Sequence, residues 1–249
     1  MMALHPDFTR LPIAHRGLHS PGLPENSLGA FRAAIAAGYA IELDIQPSAE
    51  GTPMVFHDYD LTRMCGDEGY IADRSAADLA ELRLQGTAEP IPTLAEVLRE
   101  VAGRVPLLIE IKDQDGRLGR NIGELQDRVA AALVAYEGPV AVMSFNPHTV
   151  AAFGKAAPEV TRGLTSCDYP KEDWPMLDDE ERARLARLED YPASGAEFLS
   201  HYWRDLDNPA VTALAAQGVP LLCWTIRSPE EEAEARKLAG GITFENYSA

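Results

Sequence analysis

Cysteine is scarce in this sequence. Cys65, Cys167 and Cys223 are odd in number and share no CxxC spacing, which excludes a disulfide framework and a cysteine-built zinc cage. All three read as reduced, buried thiols. Positive charge is also short, with 22 Lys and Arg against 39 Asp and Glu and a formal net charge of −17. Such a surface repels the phosphates of nucleic acids and of anionic bilayers, so neither is expected as a partner. Long apolar runs are missing too: Val105–Ile109 and Val140–Met143 are strand-sized, far from the ~18 residues that a membrane helix needs. No membrane insertion is expected. The opening Met1-Met2-Ala3-Leu4-His5-Pro6-Asp7 lacks a basic region followed by an apolar one, so a cytoplasmic location is expected.

What is present is a globular composition, 46% hydrophobic and 24% charged, which excludes disorder and fibrous repeats. Short apolar segments alternate with helix-patterned ones along the whole chain. Thr93-Leu94-Ala95-Glu96 and Ser228-Pro229-Glu230-Glu231 read as capping boxes. Asn26 or Ser27 reads as the cap of a helix carrying Leu28, Phe31 and Ile35 on one face and ending at Gly38. Asn208–Gly218 repeats that plan, and Asp178–Glu189 is expected to form a charged helix over one end, solvated or acting as a lid.

Nine strands are expected: 12–15, 40–45, 54–57, 107–111, 140–145, 161–165, 197–201, 221–225 and 241–244. Only Gln46–Pro53 separate the second from the third, whereas a parallel crossover needs about a dozen residues. The third must therefore return as a hairpin. Eight strands in βα alternation remain, the size of an α/β (β/α)₈ TIM barrel, with residues 1–249 as one domain. A doubly wound open sheet is the rival, but no GxGxxG turn follows the first strand.

In such a barrel chemistry belongs at the C-terminal ends of the strands. His15-Arg16-Gly17 ends the first strand and His57-Asp58 ends the hairpin. Glu42 and Asp44 stand two apart on the second strand, and Glu110 and Lys112 two apart on the strand after the hairpin, each pair on one face between apolar neighbours. Three inward carboxylates make an oxygen site suited to one divalent cation, Mg²⁺ or Ca²⁺. His15 and His57 flank it as an acid/base pair, and Arg16 and Lys112 supply the positive charge that a phosphate needs.

The same residues form a longer ordered pattern: His15-Arg16-Gly17, Pro24-Glu25-Asn26-Ser27, Glu42-Leu43-Asp44, His57-Asp58, Leu61-Thr62-Arg63 before Gly69, Ile91-Pro92-Thr93-Leu94, Glu110-Ile111-Lys112, Ser144-Phe145 and Trp224-Thr225. Over nearly the whole chain this resembles the glycerophosphodiester phosphodiesterase family. The resemblance implies a metal-dependent barrel that hydrolyses glycerophosphodiesters to glycerol 3-phosphate and an alcohol. It implies Glu42, Asp44 and Glu110 as metal ligands, His15 and His57 as catalytic residues, and Arg16, Lys112 and Trp224 as substrate contacts. Asn26 reads as a helix cap without a catalytic part. Three positions depart from the family's pattern: Glu50-Gly51 at the hairpin turn, Thr243-Phe244-Glu245 where Thr-Asp is usual, and the segment Cys167–Gly195, a candidate for shaping the substrate end of the pocket.

The alternatives are a phospholipase-D-like enzyme of the same barrel type acting on lysophospholipids, a barrel that binds phosphate esters without cutting them, and a metal-free pair of glycosidase carboxylates. The expected partner is a small-molecule glycerophosphodiester, and homo-oligomerisation is left open.

Overall fold

Eight parallel strands close on themselves in the computed structural model, which describes residues 4–249; the first three residues of the opening segment lie outside that range. The strands are β1 (Ile13–Ala14), β2 (Ala40–Pro47), β3 (Pro53–Val55), β4 (Leu107–Ile111), β5 (Val140–Ser144), β6 (Thr161–Ser166), β7 (Phe198–Tyr202), β8 (Leu221–Ile226) and β9 (Gly241–Phe244). Each pairs in parallel with its barrel neighbours, and β1 closes the ring by pairing with both β2 and β9. The exception is β3, which runs antiparallel to β2 with Ile45 opposite Val55 and Pro47 opposite Pro53. The barrel and its hairpin are therefore as the sequence indicates, and the turn between β2 and β3 places Gly51 at φ 82°.

The alternation within β2 sets the inside and the outside. Ile41, Leu43 and Ile45 enter the apolar shell between barrel and helices, together with Leu107, Ile109 and Ile111 of β4. Ala40 and Leu108 point the other way, into a second cluster with Phe8, Ile13, Ala141, Met143, Phe198 and Leu222. Most of these residues sit at strand starts, so this cluster fills the N-terminal mouth. Phe8, from the short helix Asp7–Arg10, plugs that mouth and is fully buried, a burial that stabilises by about 1.5–3 kcal/mol. On β6, Gly163 leaves room for the inward Phe198 ring, since a Cβ there would lie 2.3 Å from it.

Helices on the outside face carry the chain from strand to strand. Ser27, not Asn26, caps Leu28–Ala37: its hydroxyl accepts from the Ala30 N–H at 3.1 Å, and Gly38 ends the helix at φ 78°. Thr93 and Glu96 form the expected reciprocal box at Leu94–Val101. Ser228 forms only half of one. The Glu231 N–H donates to Ser228 Oγ, but the Glu231 carboxylate accepts instead from the Arg227 N–H at 2.7 Å and from Arg204 at 3.0 Å. The charged helix is Asp179–Ala186, capped reciprocally by Asp178 and Glu181 and held down by buried Leu185. No helix among the described residues is long and apolar enough to cross a membrane.

Candidate active site

The second inward layer of β2 and β4 is polar because the i, i+2 spacing continues past the apolar bottom layer. Asp44 lies directly beside Glu110 in the β2–β4 register, with Glu42 one inward step below. The three carboxylates are buried, and one oxygen from each lies within 4.8 Å of the others. Thus the structure brings together the three acids that the sequence singles out. His15, Arg16, His57, Lys112 and Trp224 line the same cavity of about 180 Å³.

The charges inside it are unevenly balanced. Lys112 Nζ sits 2.7 Å from Asp44 Oδ1 and 2.6 Å from Glu110 Oε1. Burial opposes the Lys112 charge, but these two carboxylates outweigh it and raise the ammonium above its ordinary value. Burial likewise pushes the Asp44 carboxyl upward, yet Lys112, His57 and Arg16 together hold it well below the usual range. Glu42 is compensated only in part, by the charge and the backbone N–H of Arg16. It accepts from the Arg16 backbone N–H at 2.9 Å and forms no ion pair with Lys or Arg among the described residues. Burial, reinforced by Asp44 and Glu110, raises it well above the usual carboxylate range. An all-oxygen cluster short of positive charge on one side fits a hard divalent cation.

Both imidazoles are held the same way, by Nδ1. His15 Nδ1 lies 2.6 Å from Glu245 Oε2, leaving Nε2 turned to the cavity, 4.0 Å from Glu42. Burial takes the His15 imidazole down to about 4 against the opposing pull of Glu245, so the ring is neutral at pH 7. The neutral ring donates from Nδ1 to Glu245 and carries an acceptor at Nε2. Burial acts upward on Glu245, but His15, His19 and Arg227 together outweigh it and hold the carboxylate below its ordinary range. His57 Nδ1 lies 2.7 Å from Asp58 Oδ1. Burial likewise acts upward on Asp58, and the His57 and Arg63 hydrogen bonds lower it overall.

Arg16 Nη1 donates to Glu25 at 2.8 Å, and Glu25 also accepts from Arg63 at 2.7 Å. Arg16 Nε is buried without a hydrogen bond, although Asp44 Oδ2 lies 3.3 Å away. Trp224 is half-buried on the cavity wall, its Nε1 donating to the Ser200 carbonyl at 3.2 Å.

The sequence model of the glycerophosphoryl diester phosphodiesterase family matches residues 15–243, which runs from just after β1 into β9 and takes in all the site residues above except Glu245. The chain belongs to this family. A "Glycerophosphodiester phosphodiesterase" of Caldanaerobacter subterraneus subsp. tengcongensis is 29% identical over 230 residues, covering 89% of this chain and 87% of that protein. Two solved structures are similar in fold and sequence. An Oleispira antarctica phosphodiesterase in complex with the product sn-glycerol-3-phosphate has a TM-score of 0.75 and 25% identity, over 96% of this chain and 94% of that one. A glycerophosphodiester phosphodiesterase from Thermotoga maritima has a TM-score of 0.71 and 26% identity, over 94% and 93%.

Within this member of the glycerophosphoryl diester phosphodiesterase family, several contacts were not assigned by sequence reasoning. Glu245, one residue past β9, buttresses His15 and is itself held by Arg227 Nε at 2.8 Å. It lies two residues after Thr243, on the same side of the strand, and that parity was a usable signal. Asn26 is not the helix cap expected of it. It adopts φ 55° and donates from Nδ2 to Asp44 Oδ2 at 2.9 Å, taking one lone pair of a central carboxylate. Asp58 and the Glu25–Arg63 pair complete the support beneath His57 and Arg16. The Asp179–Ala186 helix contributes no residue to this cavity or to the larger one beside it; the loop before it, through Met176, supplies that wall.

Proposed function

We propose that this chain hydrolyses glycerophosphodiesters to glycerol 3-phosphate and an alcohol, dependent on one Mg²⁺ or Ca²⁺ held by Glu42, Asp44 and Glu110. The observation that carries the reading is the convergence of these three buried carboxylates with two Nδ1-anchored imidazoles on one cavity. The family membership supports the reaction class, and the Oleispira antarctica relative bound to sn-glycerol-3-phosphate supports the product.

The cation, when bound, would supply Lewis-acid polarisation of the phosphate and lower the proton affinity of the attacking hydroxyl. The remaining work falls to the chain's own residues. Arg16, whose buried Nε makes no hydrogen bond, and Lys112 take the non-bridging phosphate oxygens and balance the charge that builds on them. Lys112 gives up part of its hold on Asp44 and Glu110 to do so. One imidazole accepts a proton at Nε2 from the attacking oxygen as that oxygen bonds to phosphorus. The other gives a proton to the alcohol oxygen as its bond to phosphorus breaks. Glu245 and Asp58 fix the two rings so that Nε2 is the working nitrogen. The Trp224 indole lines the wall beside the glycerol. The attacking oxygen is water or the substrate's own glycerol 2-hydroxyl, and rapid-quench detection of a cyclic glycerol phosphate distinguishes the two.

The test is turnover of glycerophosphocholine with Mg²⁺ or Ca²⁺, with chelator, and after His15→Ala, His57→Ala and Glu110→Gln. Chelation is expected to stop the reaction reversibly, and each histidine variant to lose about 10²–10⁴-fold. Undiminished turnover in chelator refutes the metal; undiminished turnover without either imidazole refutes the acid/base pair. Faster cleavage of lysophospholipid micelles than of the water-soluble diester moves the substrate to that class. Tight binding without product leaves a phosphate-ester binder.

A further inference from the structure

A second cavity, of about 860 Å³, opens beside the catalytic one and shares seven lining residues with it, His57, Glu110, Lys112, Phe145, Trp224 and Arg227 among them. The two are continuous, and the larger one reaches outward from the phosphate site to the loop that carries Asp168, Asp173 and Trp174. Its wall is a continuous run of aromatic rings. Tyr202 and Trp224 have centroids 5.6 Å apart, Trp224 and Phe145 5.6 Å, and Phe145 and Trp174 5.2 Å. All four rings are half-buried and line the cavity. Tyr169, fully packed behind them at 5.1 Å from Trp174, fixes the position of that outermost ring.

The charges on this wall all have one sign where they are free. Asp168 and Asp173, from the same loop as Trp174, are exposed, line the cavity and have no ion pair or side-chain hydrogen bond among the described residues. The two cations that reach the cavity are already engaged: Lys112 by Asp44 and Glu110, Arg227 by Glu245. An acyl chain would have to desolvate both aspartates for nothing, and a polyol would find few free donors. A cation gains on both counts, from the ring faces and from the unpaired carboxylates.

We propose that this chamber takes the alcohol half of the diester and selects alcohols that carry an ammonium group. Trp174 and Phe145 supply the ring faces, and Asp168 and Asp173 supply the counter-charge. The inference rests on the function proposed above and adds the class of its leaving group.

The holoenzyme, with its divalent ion added, is compared on sn-glycero-3-phosphocholine and on the 3,3-dimethylbutyl diester, in which a neutral carbon replaces the nitrogen. The choline diester is expected to be favoured in kcat/KM by about tenfold or more. Trp174→Leu and the pair Asp168→Asn with Asp173→Asn should each reduce that preference through KM, leaving kcat/KM on the neutral diester within about twofold of the parent. Should Trp174→Leu unfold, the aspartate pair, exposed on the loop, still reads the effect. Calorimetric binding of phosphocholine against 3,3-dimethylbutyl phosphate reads the chamber independently of turnover. Equal kcat/KM on the two diesters, or a preference that survives the aspartate pair, overturns the chamber and leaves the hydrolase intact. No turnover with charge-selective binding overturns the hydrolase and leaves the chamber; absence of both overturns both.

Discussion

Replacing Glu245 by glutamine tests whether the enzyme depends on the orientation of a single proton. Glu245 has two acceptor oxygens in use: Oε2 faces His15 Nδ1 at 2.6 Å and Oε1 faces Arg227 Nε at 2.8 Å. Glutamine keeps the shape but offers one carbonyl oxygen and one NH₂. Arg227 can only donate, so it retains the carbonyl and turns the NH₂ toward His15. His15 can adapt, because an imidazole can move its proton to the other nitrogen. Nδ1 then becomes the acceptor, Nε2 carries the hydrogen, and the nitrogen facing the cavity can no longer take a proton. The expected loss in kcat is about 10²–10⁴-fold, the range that general acid–base catalysis covers, with KM and divalent-ion affinity little changed. The decisive control removes the competing donor. With Arg227→Met added to Glu245→Gln, the amide can rotate its carbonyl to His15, and at least tenfold of the lost kcat should return. The two variants and their combination are compared by steady-state kinetics at saturating ion. Glu245→Gln within about threefold of the parent, or a double variant no faster than the single one, refutes the tautomer argument.

Three further outcomes are expected. Saturating Mg²⁺ or Ca²⁺ should stabilise the protein by about 2.7 kcal/mol at a hundredfold excess over Kd, read as a Tm increase that Glu110→Gln or Asp44→Asn abolishes; an unchanged increase in either variant argues against the carboxylate trio. Burial lowers His201 despite Asp205 at 3.0 Å, so the native ring stays neutral where the unfolded chain, with an ordinary value of 6.5, takes a proton. Its contribution is therefore intact above pH 6.5 and is lost as pH falls from there toward the folded value; His201→Gln should flatten the urea-midpoint profile by up to about 1.4 kcal/mol per pH unit, and an unchanged slope refutes it. Gly163→Ala places a methyl 2.3 Å from the Phe198 ring and should cost about 1–3 kcal/mol in chemical denaturation, recovered in part by Phe198→Leu.

The arrangement also separates catalysis from support. Ser166, His201 and Asp205 form a hydrogen-bonded series at 2.7 and 3.0 Å that resembles a hydrolytic triad, yet Ser166 and His201 are fully buried and line neither cavity. It is a packing network between β6, β7 and the turn that follows, and substrate has no path to it.

The barrel, its hairpin and the metal-type trio could be read from the sequence because each depends on short-range pattern. The spacing of Glu42, Asp44, Glu110 and Lys112 assigns them to one face of their strands whatever surrounds them, and the eight residues between 46 and 53 forbid a crossover. Closure of the barrel settled the rest. His15 meets Glu245 across 230 positions only because β1 lies against β9, and Asn26 reaches Asp44 only because the loop after β1 folds over the end of β2. Trp174, Phe145, Tyr202 and Trp224 come from four separate loops and strand ends, with no shared period that could have grouped them. Local spacing determines which side of a strand a residue occupies. Which residues it faces there is decided by register and closure, and in this protein those partners determine which nitrogen His15 turns to the cavity and which rings line the larger cavity.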